Sequence, residues 1–244
     1  LTKKIKRVKA RTIVIVVLLI LIVDQSLKIW VKTHMPLSYD WDQYHTMLTQ
    51  YDKGIRPMGG DWFQVYFVEN KGMAWGWELG GDWGKMALTL FRLIAVVAGV
   101  FILRNFIRKK YHRGFILCAA LIFAGALGNL IDSMFYGMIF NESTRLHVAS
   151  LFPSKGYAGF LHGKVVDMLY FPIIKEKTLP SWLPFWGGEQ FTFFSPVFNI
   201  ADAAISVGVI AILLFQKRFF KKEHTGNQPA VETNAQVNDR VQVL

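Results

Sequence analysis

The residues best suited to chemistry are aspartates and asparagines set inside apolar runs. Phe198-Asn199-Ile200-Ala201-Asp202 opens the last long apolar run of the chain, Val197 to Phe215, which holds no other charge. Asn199 and Asp202 are three residues apart and share a helix face. Asn129 and Asp132 repeat that spacing in an earlier run, and Asp24 and Lys28 stand at i, i+4 in the first. Asp167 interrupts the apolar patch Val165 to Phe171. A carboxylate in lipid costs on the order of 2.5–3.5 kcal/mol, so each one reads as a functional site by default. Two facing aspartates cannot both ionise easily and come to share a proton. The ionised one can take a proton from water while the protonated one polarises a carbonyl, which hydrolyses a peptide bond with no cofactor or metal. The same groups could relay protons in a small transporter or channel subunit. Spacing alone does not decide between the two. Plainer readings also stand beside them. Asp24 and Lys28 could pair with each other, the asparagines could join helices, Asp132 could end a helix, Asp167 could be interfacial, and Arg92 has no role beyond a buried ion pair.

Other chemistries lack their residues. No G-x-S-x-G occurs, no H-E-x-x-H occurs among the six scattered His, and no Gly-rich phosphate loop is present. Ser26 and Lys28 are i, i+2 and point to different sides of a helix. The single Cys118 excludes an intramolecular disulfide and a Cys-based zinc site. The chain has 244 residues, 52% of them apolar, and a net charge of +11. The basic residues lie beside the apolar runs, which points to membrane topology and not to a nucleic-acid partner.

The elements that must position these side chains are four helical spans, predicted at about 13–34, 84–103, 114–135 and 197–215. The first follows a basic start, and no small-x-small cleavage site comes after it, so it reads as an uncleaved transmembrane helix. Basic clusters fall at the N-terminus, at Arg104 to Arg113 and at Lys217 to Lys222. The positive-inside rule puts all three in the cytoplasm, with both termini inside and segments 36–83 and 137–195 outside. Phe63, Val65 and Phe67 alternate and predict a strand. Trp62, Trp75, Trp77 and Trp83 suit the headgroup level. Residues 137–195 read as a long mixed loop broken by prolines. Residues 1–220 are expected to form one membrane domain, and 221–244 a disordered cytoplasmic tail. This threading brings Asp24, Asn129, Asp132, Asp167, Asn199 and Asp202 to one depth, at the outer leaflet boundary.

Five blocks in order then carry a resemblance: VDQSLKIWV at 23–31, ENKGMAWGW at 69–77, GALGNLIDS at 125–133, GKVVDMLYF at 163–171 and FNIADAAISVG at 198–208. The chain resembles lipoprotein signal peptidase (signal peptidase II), a family of aspartic proteases of the bacterial inner membrane. The resemblance implies an α-helical membrane fold, a four-helix bundle with a small extracytoplasmic β-sheet. It implies cleavage of diacylglyceryl-modified prolipoproteins just before the lipidated cysteine, contact with membrane lipid, no cofactor, and inhibition by globomycin-type peptides. It assigns Asp167 and Asp202 to the catalytic dyad. It assigns Asp24, Lys28, Asn70, Gly72, Asn129, Asp132, Asn199 and Ala201 to substrate binding and support. Asp132 is the competing partner for Asp202 on spacing, and the resemblance favours Asp167. Three departures stand out. Ser133 occupies a place where the family often has Arg, and Arg145 is the expected substitute cation. Segments 137–164 and 172–195 are longer than usual.

Overall fold

A computed structural model describes residues 8–38, 54–60, 62–70, 81–171, 174–178, 190–193 and 197–220. Among the described residues, four helices are long and apolar enough to cross a membrane. Helix α1 is Ala10–His34, α2 Gly81–Arg108, α3 Arg113–Ile139 and α4 Ile200–Phe219. Each contains its predicted span or most of it. Helix α2 begins three residues before its span and ends five beyond it. At that second end the chain continues through Arg104 and Arg108, whose long stems let a charged head leave an apolar helix for water. Helix α1 stops at Met35, which is extended ahead of Pro36, because the residue before a proline is pushed out of the α region.

Helix α3 is the hub, and α1, α2 and α4 all pack on it. Small residues make the closest approaches possible. A Cβ on Gly125 would lie 2.2 Å from the Ala201 carbonyl oxygen, and one on Gly208 would lie 2.7 Å from that of Cys118. Backbones of α3 and α4 therefore touch at two levels, as small residues allow in apolar bundles. The outward faces are apolar: Leu18, Ile22, Phe91, Ile94, Leu213 and Leu214 are exposed, as lipid-facing positions must be.

At one end of the bundle sits an antiparallel pair, β1 (Gln64–Asn70) and β2 (Val165–Tyr170), with Val68 opposite Asp167 and Asn70 opposite Val165. A register irregularity falls between Val65 and Val68. The predicted strand near 62–68 is present, but its burial does not alternate: Val65 through Val68 are all buried. One face packs with Val31, Tyr136, Phe140 and Met168, and Tyr66 and Val68 pack with Tyr170 and Val197 on the other. A second antiparallel pair joins β3 (Ile174–Thr178) and β4 (Gln190–Phe193).

The long-loop reading of 137–195 therefore needs correction. Besides holding three strands, the segment folds back on the end of α3. The amides of Ala158, Leu161 and Gly163 donate to the carbonyls of Gly137, Met134 and Ser133 at 2.9, 3.1 and 2.9 Å. The approach is so close that a Cβ on Gly163 would lie 2.0 Å from the Asp132 carbonyl oxygen. Thr89 of α2 donates to the Leu161 carbonyl at 2.9 Å, so the segment is tied to two helices.

Candidate active site

The site forms where the N-terminus of α4 meets β2. Leu169 and Phe198 form an antiparallel bridge, with Leu169 N donating to Phe198 O at 2.7 Å and Phe198 N donating back at 3.0 Å. This clamp sets Asp167 of β2 beside the first turn of α4. Asn199 is not inside the helix, as its spacing implied. It is the N-cap, with an extended backbone, and Asp202 is the third helical residue. The Asn199 side chain accepts from Asp202 N at 2.8 Å, and the Asp202 carboxylate accepts from Asn199 N at 3.4 Å. This reciprocal capping box satisfies two backbone donors that the helix start leaves open. It also holds Asp202 at the positive end of the helix dipole, where an ionised carboxylate is favoured.

Two asparagines link the aspartates. Asn199 Nδ2 donates to Asp167 Oδ1 at 2.7 Å, and Asn129 Nδ2 donates to Asp202 Oδ1 at 2.7 Å. Asn199 Nδ2 also reaches Asn129 Oδ1 at 3.1 Å, so one amide network ends on both carboxyl groups. Asn70 of β1 donates to the other oxygen of Asp167 at 3.3 Å. Asp167 is buried and Asp202 is half-buried. Burial first, and the Asp202 charge second, push the Asp167 carboxyl up to about 8.

Beneath the asparagines lies a fully enclosed charge cluster. Lys28 meets Asp24 at 2.9 Å and Asp132 at 2.8 Å, and donates to Asn129 Oδ1 at 2.9 Å. Asp24 and Lys28 do pair, and a second acid is tied to the same ammonium. By occupying Asn129 Oδ1, Lys28 fixes which end of that amide faces Asp202. Each acid also holds backbone at the site. Asp24 accepts from Ala201 N at 2.9 Å, another open donor of α4, and Asp132 accepts from Val166 N at 3.3 Å, next to Asp167. Asp132 does not end its helix, which runs on to Ile139. Ala201 is fully buried and abuts Gly125 and Gly128. Gly72 lies outside the described residues.

Two features escaped the sequence. Arg92 of α2 donates to Ser133 Oγ at 3.0 Å, and Ser133 donates in turn to the Asn129 carbonyl at 3.0 Å. The guanidinium lies within electrostatic reach of Asp202, Asp132 and Asp167. The cation at Ser133 thus comes from a neighbouring helix; Arg145 is exposed in the 141–150 stretch. The signal was an arginine inside an apolar run, but its partner is set by helix crossing. The second feature is a buried cluster around Glu69. Lys32 pairs with its Oε1 and donates to Ser143 Oγ at 2.9 Å, and Lys164 lies 3.0 Å from its Oε2. Burial alone would raise the Glu69 carboxyl, but Lys32 and Lys164 outweigh it and hold it below the ordinary range. The cluster pins the 137–164 segment to β1, beside Asn70.

A family model described as signal peptidase (SPase) II matches residues 16–218. The chain belongs to the signal peptidase II family. A lipoprotein signal peptidase of Porphyromonas gingivalis is 47% identical over 212 residues, 86% of this chain and 84% of that one. Another, of Amoebophilus asiaticus, is 35% identical over 200 residues, covering 82% and 75%. Two solved structures of a bacterial membrane enzyme share the fold, each with a TM-score of 0.52. They are 24% and 22% identical and cover 89% and 87% of this chain and 96% of each structure. A signal peptidase II family member is a protease, and the transporter reading finds no support.

Proposed function

We propose that this signal peptidase II family member is an aspartic endopeptidase that removes the signal peptide from diacylglyceryl-modified prolipoproteins, with Asp167 and Asp202 as its dyad. The observation that carries the assignment is the amide network that ends on both carboxyl groups. Asp202 is assigned the base, set in the first turn of α4 with the Asn129 amide donating to it. Asp167 is the protonated member, because it is buried and faces that carboxylate. Asp132, enclosed and committed to Lys28, is the weaker partner for Asp202.

The reaction follows from those states. Asp202 takes a proton from water as the water oxygen attacks the scissile carbonyl carbon, and Asp167 gives its proton to the carbonyl oxygen. In the second step the carbon–nitrogen bond breaks. Asp202 returns its proton to the leaving amine, and Asp167 recovers one from the tetrahedral hydroxyl. The dyad ends as it began. Asn70 and the amides of Asn129 and Asn199 position the peptide, with Gly72 beside Asn70 in the block that resembles the family's. Lys28, Asp24 and Ala201 act on the substrate through the groups they hold. Arg92 is a positioning residue that holds Ser133 and, through it, the Asn129 segment of α3.

The basic clusters favour a threading with both termini in the cytoplasm of a bacterial inner membrane and the dyad toward the outer leaflet. There the acyl chains of a lipidated precursor can lie along apolar helix faces, and a globomycin-type peptide would compete for the same groove. The test is cleavage of a diacylglyceryl-modified prolipoprotein in liposomes, with the new N-terminus read by mass spectrometry. Cleavage before the lipidated cysteine is expected. Equal cleavage of the unlipidated precursor at another bond would overturn the substrate assignment.

A further inference from the structure

Away from the candidate active site, α1 and α2 part to leave a groove floored by α3. Its volume is about 590 Å³, and its wall includes Ile13, Val17 and Leu21 of α1, Leu103 of α2, and Phe123 of α3. Arg104 and Arg108 line its end nearest the basic loop. Both are exposed, and among the described residues no ion pair takes up either guanidinium. The groove runs beside α1 from Ala10 to Leu21, one turn short of Asp24. We propose that this groove binds an anionic phospholipid of the cytoplasmic leaflet, its phosphate on Arg104 and Arg108 and its hydrocarbon chain between α1 and α2.

Width and charge select this occupant. From Ala10 to Leu21 the helix rises about 17 Å, so the volume corresponds to a cross-section of roughly 35 Å². A helix with side chains is about 10–12 Å across, so part of its girth would stay outside the groove. A hydrocarbon chain fits. A signal peptide is also the wrong sign, because its start is basic and would meet two arginines. Basic pockets between transmembrane helices on the cytoplasmic side suit anionic headgroups. The cytoplasmic placement rests on the positive-inside assignment, while the groove and its arginines do not depend on the dyad.

The experiment uses the full chain in mixed micelles holding equal amounts of phosphatidylglycerol and phosphatidylcholine with identical acyl chains. Retained lipid is read by native mass spectrometry. The wild type is expected to keep one phosphatidylglycerol in preference to phosphatidylcholine. Each arginine contributes about fivefold near a membrane surface, so Arg104→Gln with Arg108→Gln should lose roughly 30-fold in that preference. Val14→Trp, at an exposed groove position, should expel the lipid with both arginines in place. Equal retention of the two lipids, an unchanged preference in the double variant, or full retention by Val14→Trp would each overturn the proposal. So would displacement of the lipid by a synthetic signal-peptide helix.

Discussion

At the scale of single residues, the site depends on keeping one proton among closely placed acids. Asp167 is protonated below about 8, so cleavage should decline on the alkaline side as pH rises through that value. A rate profile across pH 6–10 checks this, and a flat profile to pH 10 would remove the proton from the mechanism. The same group links to stability with a definite sign. Its ordinary value is 3.8 and its folded value is about 8, so between them the folded state holds the extra proton. Stability therefore falls as pH rises from about 4 to about 8. Asp167→Asn, which cannot ionise, should abolish that slope in thermal unfolding while leaving the fold intact. Lys28→Met is different in kind, because it leaves Asp24 and Asp132 enclosed without their cation. Removing one partner from a buried pair costs about 3–5 kcal/mol, and the variant should unfold at a much lower temperature than the wild type. An unchanged melting point would mean that the cluster does not hold the bundle.

At the scale of elements, position is set by a few close contacts between segments far apart in sequence. Gly125→Ala puts a methyl group against the Ala201 carbonyl. Overpacking of this kind costs about 1–3 kcal/mol, and here it also pushes the start of α4 away from β2. Cleavage should fall more than stability does, and a loss of stability alone would mean that α4 is not held by this contact. Arg92 supplies an element-level test, because its guanidinium crosses from α2 to Ser133 on α3. Arg92→Ser should slow turnover tenfold to a hundredfold, the size of a charged hydrogen bond of about 1.5–3 kcal/mol. Adding Ser133→Arg should restore most of it by delivering the guanidinium from the other helix, and no rescue would show that Arg92 acts elsewhere.

These contacts also explain what the sequence revealed and what it hid. The four helices were legible because apolar runs of that length have one common solution in lipid. The acids and asparagines were legible because polar groups are costly in such runs. Strand β2 was read as part of a loop, since six mostly apolar residues buried on both faces show no period. The N-cap role of Asn199 was hidden by a spacing that fits a helix face equally well. The return of 137–164 onto α3 was hidden because it is carried by backbone hydrogen bonds and glycines. No side-chain pattern announces that kind of contact.

At the scale of the whole molecule, charge is divided by level. Arg104, Arg108, Lys109, Lys110 and Arg113 gather at one end, and the paired acids gather at the other beneath a sheet buried on both faces. The enclosed acids are tolerable because Lys28 and the asparagines leave few of their oxygens without a partner. The chain is expected to sit with the sheet outside. In sealed cells, a thiol placed at Ser154 should react with an impermeant reagent and one at Lys110 should not. The native Cys118 is buried and should stay silent in both. The reverse labelling pattern would invert the molecule.

The central claim is that water is activated between Asp167 and Asp202. Its most direct test is single-turnover cleavage of a lipidated prolipoprotein by the wild type, Asp167→Asn and Asp202→Asn in identical liposomes, with folding verified by melting temperature. Both variants are expected to remain folded and to lose at least about a hundredfold in rate. Wild-type cleavage by either folded variant would contradict the account.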